Sequence, residues 1–243
     1  EEGGPMQKGD KRREEILKAA SALISQKGYR RTTLQDILDA VGCSKGSFYH
    51  HFDSKLQVLE AIALMRTRAD YLSYRSKPRN STLAALNDLL YFSCPLRDGE
   101  EHFMAALIGL GIRQEGAAMS AHLREARRAT FFDDLRALLG DLREEGLAHF
   151  DNDTLLELLW DTHMSFCEAL MREGSRLIIS GGTPGSRMSQ MLRAARFQWE
   201  RLLDLPFASI IILPVDELIR SLSAASAIVK AEEEQLRFDG APA

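Results

Sequence analysis

The stretch Gly28–Leu59, GYRRTTLQDILDAVGCSKGSFYHHFDSKLQVL, decides how the rest of this chain is read. Two short helical segments lie inside it, separated by a glycine-bearing turn. Thr33 stands where a helix N-cap belongs, with Asp36 three residues on to complete a box-like cap. Gly42 follows Val41 as a left-handed stop, and Ser44 then caps a second segment over 45–51. Phe48 and Phe52 fall four apart, with Ile37 and Leu38 on the preceding segment, which predicts one small shared core. A helix pair joined by such a turn lets its second helix enter the major groove of DNA.

Upstream, Ile16, Ala19, Ala20, Leu23 and Ile24 form a helical stripe over 11–26, closed by Gly28. Downstream, Asp53 or Ser54 starts a long helix to about Ser76, broken at Lys77-Pro78. Further helical segments follow over 82–93, 100–113, 117–145, 153–179, 186–205 and 215–236, with no convincing period-2 strand and no internal repeat. The pattern predicts an all-α chain, with an N-terminal three-helix helix-turn-helix head joined by a long helix to a larger helical domain; because such heads act in two-fold pairs, that domain is the expected place for ligand binding and dimerisation. The expected boundaries are 1–10 for a disordered lead-in, 11–57 for the head, 58–237 for the body and 238–243 for a flexible tail. The run Glu232–Glu234 reads as a frayed, solvated end.

The charge is unevenly placed. Residues 7–55 carry ten Lys/Arg against six Asp/Glu, a local +4, which leaves −8 for the remainder of a chain whose net charge is −4. A basic end on an acidic body suits a protein that meets phosphates with one face. No apolar run approaches the roughly 20 residues that span a bilayer, so no membrane partner is expected. Cys43, Cys94 and Cys167 form no C-x-x-C pair, which argues against both a disulfide framework and a zinc site. Reduced thiols in a cytoplasmic protein with no metal and no cofactor are the expectation. His163 and Cys167 lie four apart, yet no third orienting group and no hydrolase or phosphate-loop motif accompanies them. No catalytic residue is assigned, and an enzyme is not expected.

The second helix carries the DNA-contact candidates. Ser44, Lys45, Gly46 and Ser47 open it. Lys45 suits a guanine edge or a phosphate, and Ser47 and His50 suit base edges or sugar. Tyr49, one step from the core Phe48, points outward with a hydroxyl for a phosphate oxygen. Thr33 reaches phosphate from the start of the preceding helix, and Gln35 an adenine or a phosphate. Arg31, with Arg30 and the 11–13 basic cluster, adds salt-sensitive attraction.

Gly28-Tyr29, Thr32-Thr33, Asp36-Ile37, Ala40, Gly42, Ser44-Lys45-Gly46, Phe48-Tyr49, His51-Phe52, Ser54-Lys55 and Leu59, at their spacing, resemble the DNA-binding head of the tetracycline-repressor (TetR) family, over about the first 60 residues. Departures are Leu38 and Val41 in place of alanine, Cys43 in place of valine and Leu56 in place of an acidic residue, all at packing positions. The resemblance implies a repressor that binds a palindromic operator as a homodimer and is released by a small effector. It implies a phosphate anchor at Lys55, and an intermolecular four-helix bundle from late helices, for which 153–179 and 186–205 are the candidates and 215–236 an atypical extension. A DNA-binding activator, or a regulator controlled by a protein partner, stays open as the alternative.

For the effector, Trp160, His163, Met164 and Cys167 recur at helical spacing on one segment, with Met171 beyond, while Phe103 and Leu107 stripe another beside Met104 and Leu110. Met and aromatic side chains suit a hydrophobic ligand. Arg113 and His163 are candidates to orient an anionic group. A ligand there is expected to act on the long helix near Tyr71 and Tyr74 and so to move the heads.

Overall fold

The structure, a computed structural model, describes residues 8–96, 101–112, 117–150, 152–182 and 185–238. Its regular structure is ten α-helices, with no strand among the described residues. Helices α1 (Lys8–Lys27), α2 (Leu34–Val41) and α3 (Lys45–Tyr49) build the head, and α4 (Lys55–Ser76) leaves it. The body follows as α5 (Thr82–Ser93), α6 (Glu101–Ile112), α7 (Ala117–Glu144), α8 (Thr154–Ser180), α9 (Ser186–Leu202) and α10 (Val215–Phe238). Arg113, residues 1–7 of the expected lead-in and residues 239–243 of the expected tail lie outside the described residues.

Hydroxyl side chains punctuate the first half. Thr33, Ser44, Ser54 and Ser81 are each extended at a helix start, and each accepts a hydrogen bond from the amide three residues on. Each cap satisfies one of the orphan amides of a first turn. Helix α3 stops at Tyr49, two residues short of the sequence expectation. The amides of His51 and Phe52 both turn back to the Phe48 carbonyl, at 2.8 and 3.0 Å, and this tightening seats Phe52 in the core. Helix α9 ends at Leu202 rather than 205, because Asp204 takes a positive φ of 53° and the Leu205 amide returns to the Glu200 carbonyl.

Apolar burial forms two clusters. One gathers Ile16, Ile37, Phe48, Phe52 and Leu59 of the head, and extends through Phe103, Leu107 and Leu110 of α6 to Met119 of α7. The other fills the body with Leu86, Leu89, Phe131, Leu135, Trp160 and Trp199. The head therefore does not end at α4; its core runs into α6.

Helix α10 lies along α6 and also packs on α8 and α9. Its buried positions Leu218, Leu222, Ala225, Val229 and Glu232 keep helical spacing to the far end. This corrects the frayed end expected at Glu232–Glu234. Glu232 is only 5% exposed and its carboxylate lies against Gly28, while Gln235 accepts a hydrogen bond from Arg31. Gly28 has φ 81°, and a Cβ there would stand 1.5 Å from Glu232 Oε1, so glycine permits both the left-handed turn and the approach of α10.

Candidate nucleic-acid interface and adjoining cavity

Helix α3 is pinned by one side chain and offers the rest. Phe48 is fully buried beside Phe52, and the Tyr49 ring stands edge-on to it at 5.5 Å while remaining 52% exposed. Ser44, Lys45, Gly46 and His50 are exposed and Ser47 half-buried, so the five-residue helix presents them together. Thr33 and Gln35 stand exposed at the start of α2. The Thr33 hydroxyl donates to Asp36 at 2.7 Å and accepts the Asp36 amide at 3.1 Å. The Lys27 ammonium, followed by the Thr33 amide and hydroxyl, holds the Asp36 carboxyl down at about 2. Gln35 Nε2 donates to Asp39 at 2.7 Å and lies along its own helix.

Two of the expected contacts face elsewhere. The Lys55 ammonium donates to the carbonyls of Tyr29 (2.9 Å), Thr32 (2.9 Å) and Arg30 (3.5 Å), and sits 4.2 Å from the Tyr29 ring centroid. An ammonium has three protons, and three loop carbonyls take them. Arg31 donates from Nε to the Lys27 carbonyl at 2.7 Å and from Nη1 to Gln235 on α10.

A cavity of about 700 Å3 opens between α6, α7 and α8 and reaches α4 at Ala63. Of the six residues expected to bind an effector, Phe103, Leu107, Met164 and Cys167 line it, joined by Leu110 and Met171. Trp160 and His163 do not. One residue along an α-helix is a turn of about 100°, enough to take His163 from the cavity face of α8 to the face against α5 and α9. Its Nε2 is 2.9 Å from Ser93 Oγ, and its ring is edge-on to Trp199 at 6.2 Å. Burial, with the nearby Arg127 charge, pushes its pKa down to about 3, so the imidazole is neutral. Trp160 packs edge-on to Phe132 at 6.1 Å within the body core.

Tyr71 and Tyr74, near which a ligand is expected to act on α4, do not line the cavity. Both rings pack on Phe131, at 5.4 and 6.2 Å, in the body core. The cavity meets α4 through Ala63, and through Arg127 behind it. This buried guanidinium donates to the carbonyls of Ser93 (2.8 Å) and Phe92 (3.4 Å) and to Asp70 of α4 (3.3 Å). Nothing in the sequence marks it, since arginine and aspartate on a helix read as a solvated face. The spacing of Glu168, Arg172 and Arg176, four apart beside the Met164–Met171 stripe, was a legible sign of a charged cavity edge that hydrophobic periodicity passes over.

Among the described residues, no helix is long and apolar enough to cross a membrane. Residues 16–62 match the family described as bacterial regulatory proteins, tetR family. Over 51 residues the chain is 49% identical to the HTH-type transcriptional repressor KstR2 of Rhodococcus jostii, which is 21% of this chain and 25% of that protein. The chain spans 25–31% of the length of the KstR2 relatives it matches. A longer and more distant similarity, 26% identity over 172 residues, covers 68% of this chain and 81% of the nucleoid occlusion factor SlmA of Haemophilus ducreyi. The fold is similar to that of a TetR transcription regulator from Haloarcula marismortui, with TM-score 0.53 and 19% identity over 91% of this chain and 98% of that one. Residues 16–62 are thus similar to tetR-family regulatory proteins, and the all-α fold is similar to that of a solved TetR transcription regulator.

Proposed function

We propose, from that head and fold, that the chain is a ligand-responsive repressor which binds a palindromic operator in double-stranded DNA as a cytoplasmic homodimer and is released by a small hydrophobic effector. The observation that carries this is a shared wall: Phe103, Leu107 and Leu110 of α6 line the cavity and also belong to the apolar cluster of the head. A molecule that displaces α6 acts directly on the packing that orients α1–α4.

On the DNA side, Lys45, Ser47 and His50 reach base edges, with Ser44 and Gly46 at the helix start. Tyr49 and Thr33 meet phosphate, and Gln35 meets an adenine or a phosphate. Lys55 acts by fixing the loop that carries Thr32 and Thr33, and Arg31 by joining the head to α10. A five-residue reading helix covers few base pairs, so two heads are needed, about one helical turn (~34 Å) or a multiple apart. Exposed Leu158 on α8 and Phe197 on α9 supply apolar surface for pairing two copies. Near-complete release requires the effector to favour the released state by about 5.5 kcal/mol.

Binding-site selection with the purified chain, followed by band shifts of the recovered palindrome at two salt concentrations, tests the DNA half. Titration of hydrophobic compounds into the bound complex tests the effector half. A monomer in solution, or no salt-sensitive affinity for any duplex, overturns the proposal. The alternative reading keeps the DNA-binding head and gives control of the bound state to a protein partner. A complex that no small molecule releases supports that reading.

A further inference from the structure

Taking the cavity as the effector site, on which this rests, we infer that it takes an amphipathic anion, with an apolar body in the cavity and a negatively charged end group among the guanidinium groups at its mouth. Helix α8 sets Glu168, Arg172 and Arg176 at i, i+4 and i+8, on the edge beside the inward-facing Met164 and Met171. Arg124 of α7 stands opposite and donates from Nε (3.2 Å) and Nη2 (2.6 Å) to one oxygen of Glu168. The other oxygen of the same carboxylate is 3.7 Å from Arg172. Arg176 pairs with Glu173, which also takes Arg187 at 3.2 Å. Among the described residues, three guanidinium groups of the cavity lining, Arg124, Arg172 and Arg176, thus face the carboxylates of Glu168 and Glu173, on a chain whose sequence outside residues 7–55 carries a net −8. Deeper in, Arg127 is matched by Asp70, so the surplus lies at the mouth.

The side chain of Arg172 is 70% exposed, and its carboxylate contact is the long one. Its planar fork is geometrically suited to a carboxylate or phosphate. Below the mouth the wall turns apolar at Phe103, Leu107, Leu110 and Met119. A neutral hydrophobe leaves the positive edge unused, a cation is repelled by it, and a small inorganic anion leaves the apolar wall wet. An amphipathic anion is complementary to both.

Isothermal titration calorimetry on the full chain, with dodecanoate, dodecyl phosphate, dodecan-1-ol and dodecyltrimethylammonium below their micelle concentrations, tests this. The two anions are expected to bind at least tenfold more tightly than the alcohol, and the cation most weakly. Which anion binds more tightly separates a carboxylate from a phosphate end group. R172Q, at an exposed position whose carboxylate contact is 3.7 Å long, is expected to weaken that preference while alcohol binding persists and the thermal unfolding midpoint holds. Combined with R176Q, which also takes one of two guanidinium groups from the buried Glu173, it is expected, at some cost in that midpoint, to remove the preference. R193Q, on the exposed face of α9 and away from the cavity, is expected to keep it. Equal binding of alcohol and anions overturns the anionic class and leaves the hydrophobic effector cavity standing. Tightest binding of the cation overturns it too. No binding by any of the four overturns both the class and the effector reading of the cavity.

Discussion

The head and the body are both helical, but they are held together over different distances in sequence. In the head, most polar contacts are short-range: hydroxyl caps at Thr33, Ser44 and Ser54 and one lysine, Lys55, that gathers the carbonyls of a loop fewer than 30 residues away, with Arg31 to Gln235 of α10 as a long-range exception. In the body, several buried or part-buried polar contacts join residues far apart: Asp70 to Arg127 across 57 positions, Ser93 to His163 across 70, and Asn87 to the Ser209 carbonyl across 122. A unit specified locally keeps its shape when its surroundings shift. A unit specified by long-range polar contacts can be biased by whatever touches them, and Arg127 forms part of the cavity wall. On the proposed function, the contrast places rigidity on the DNA side and adjustability on the effector side.

Four measurements break or sharpen this contrast. Arg127→Ala takes one donor from the buried Asp70 and from two carbonyls, and is expected to cost about 3–5 kcal/mol in urea unfolding, with partial recovery when Arg127→Met is combined with Asp70→Leu. An unchanged midpoint would remove the long-range contact from the account of the body. Lys55→Met is expected to cost about 2 kcal/mol, the scale of charged hydrogen bonds, and to weaken binding to operator and random DNA alike. If stability instead holds and only the salt slope of DNA binding falls by about one, Lys55 is a phosphate contact rather than a loop clamp.

The third concerns pH. The folded pKa of His163, about 3, lies below its unfolded value near 6.5, so on acidification the unfolded chain takes up the proton first. Its contribution is therefore constant above about pH 6.5 and declines below it by about 1.4 kcal/mol per pH unit, until the folded pKa is reached. Urea midpoints from pH 7.5 down to 5 should show a shallower decline in His163→Gln than in the native chain; parallel curves would show the imidazole to be solvated. The smallest effect is expected at the reading helix, where Ser44→Ala removes one cap, costs about 1 kcal/mol and lowers operator affinity more than body stability. A loss spread evenly over both regions would argue that the head is less self-contained than its caps indicate.

Much of the architecture is legible in the sequence. Helix α5 occupies the expected 82–93, and α8 is displaced by one residue, because hydroxyl caps, glycine stops and prolines act through local sterics and hydrogen bonds. The misjudged ends, at α3 and α9, are places where the chain tightens to deliver Phe52 or to turn at Asp204. In the cavity, Phe103, Leu107, Met164 and Cys167 were readable as an apolar stripe, whereas Trp160 and His163 belong to the same stripe by spacing and to a different neighbour by packing.

The sequence by itself determined that the chain is all helical, where most of its helices begin and that a short helix opened by Ser44 follows the turn at Gly42, since each rests on interactions within a few residues. Only the tertiary structure decided that α6 belongs to two cores, that α10 reaches Gly28 and Arg31, that Lys55 turns inward, and that Arg127 is buried behind a cavity. These depend on which faces meet across the fold. A helical stripe specifies that a face will be covered, but not by which other helix.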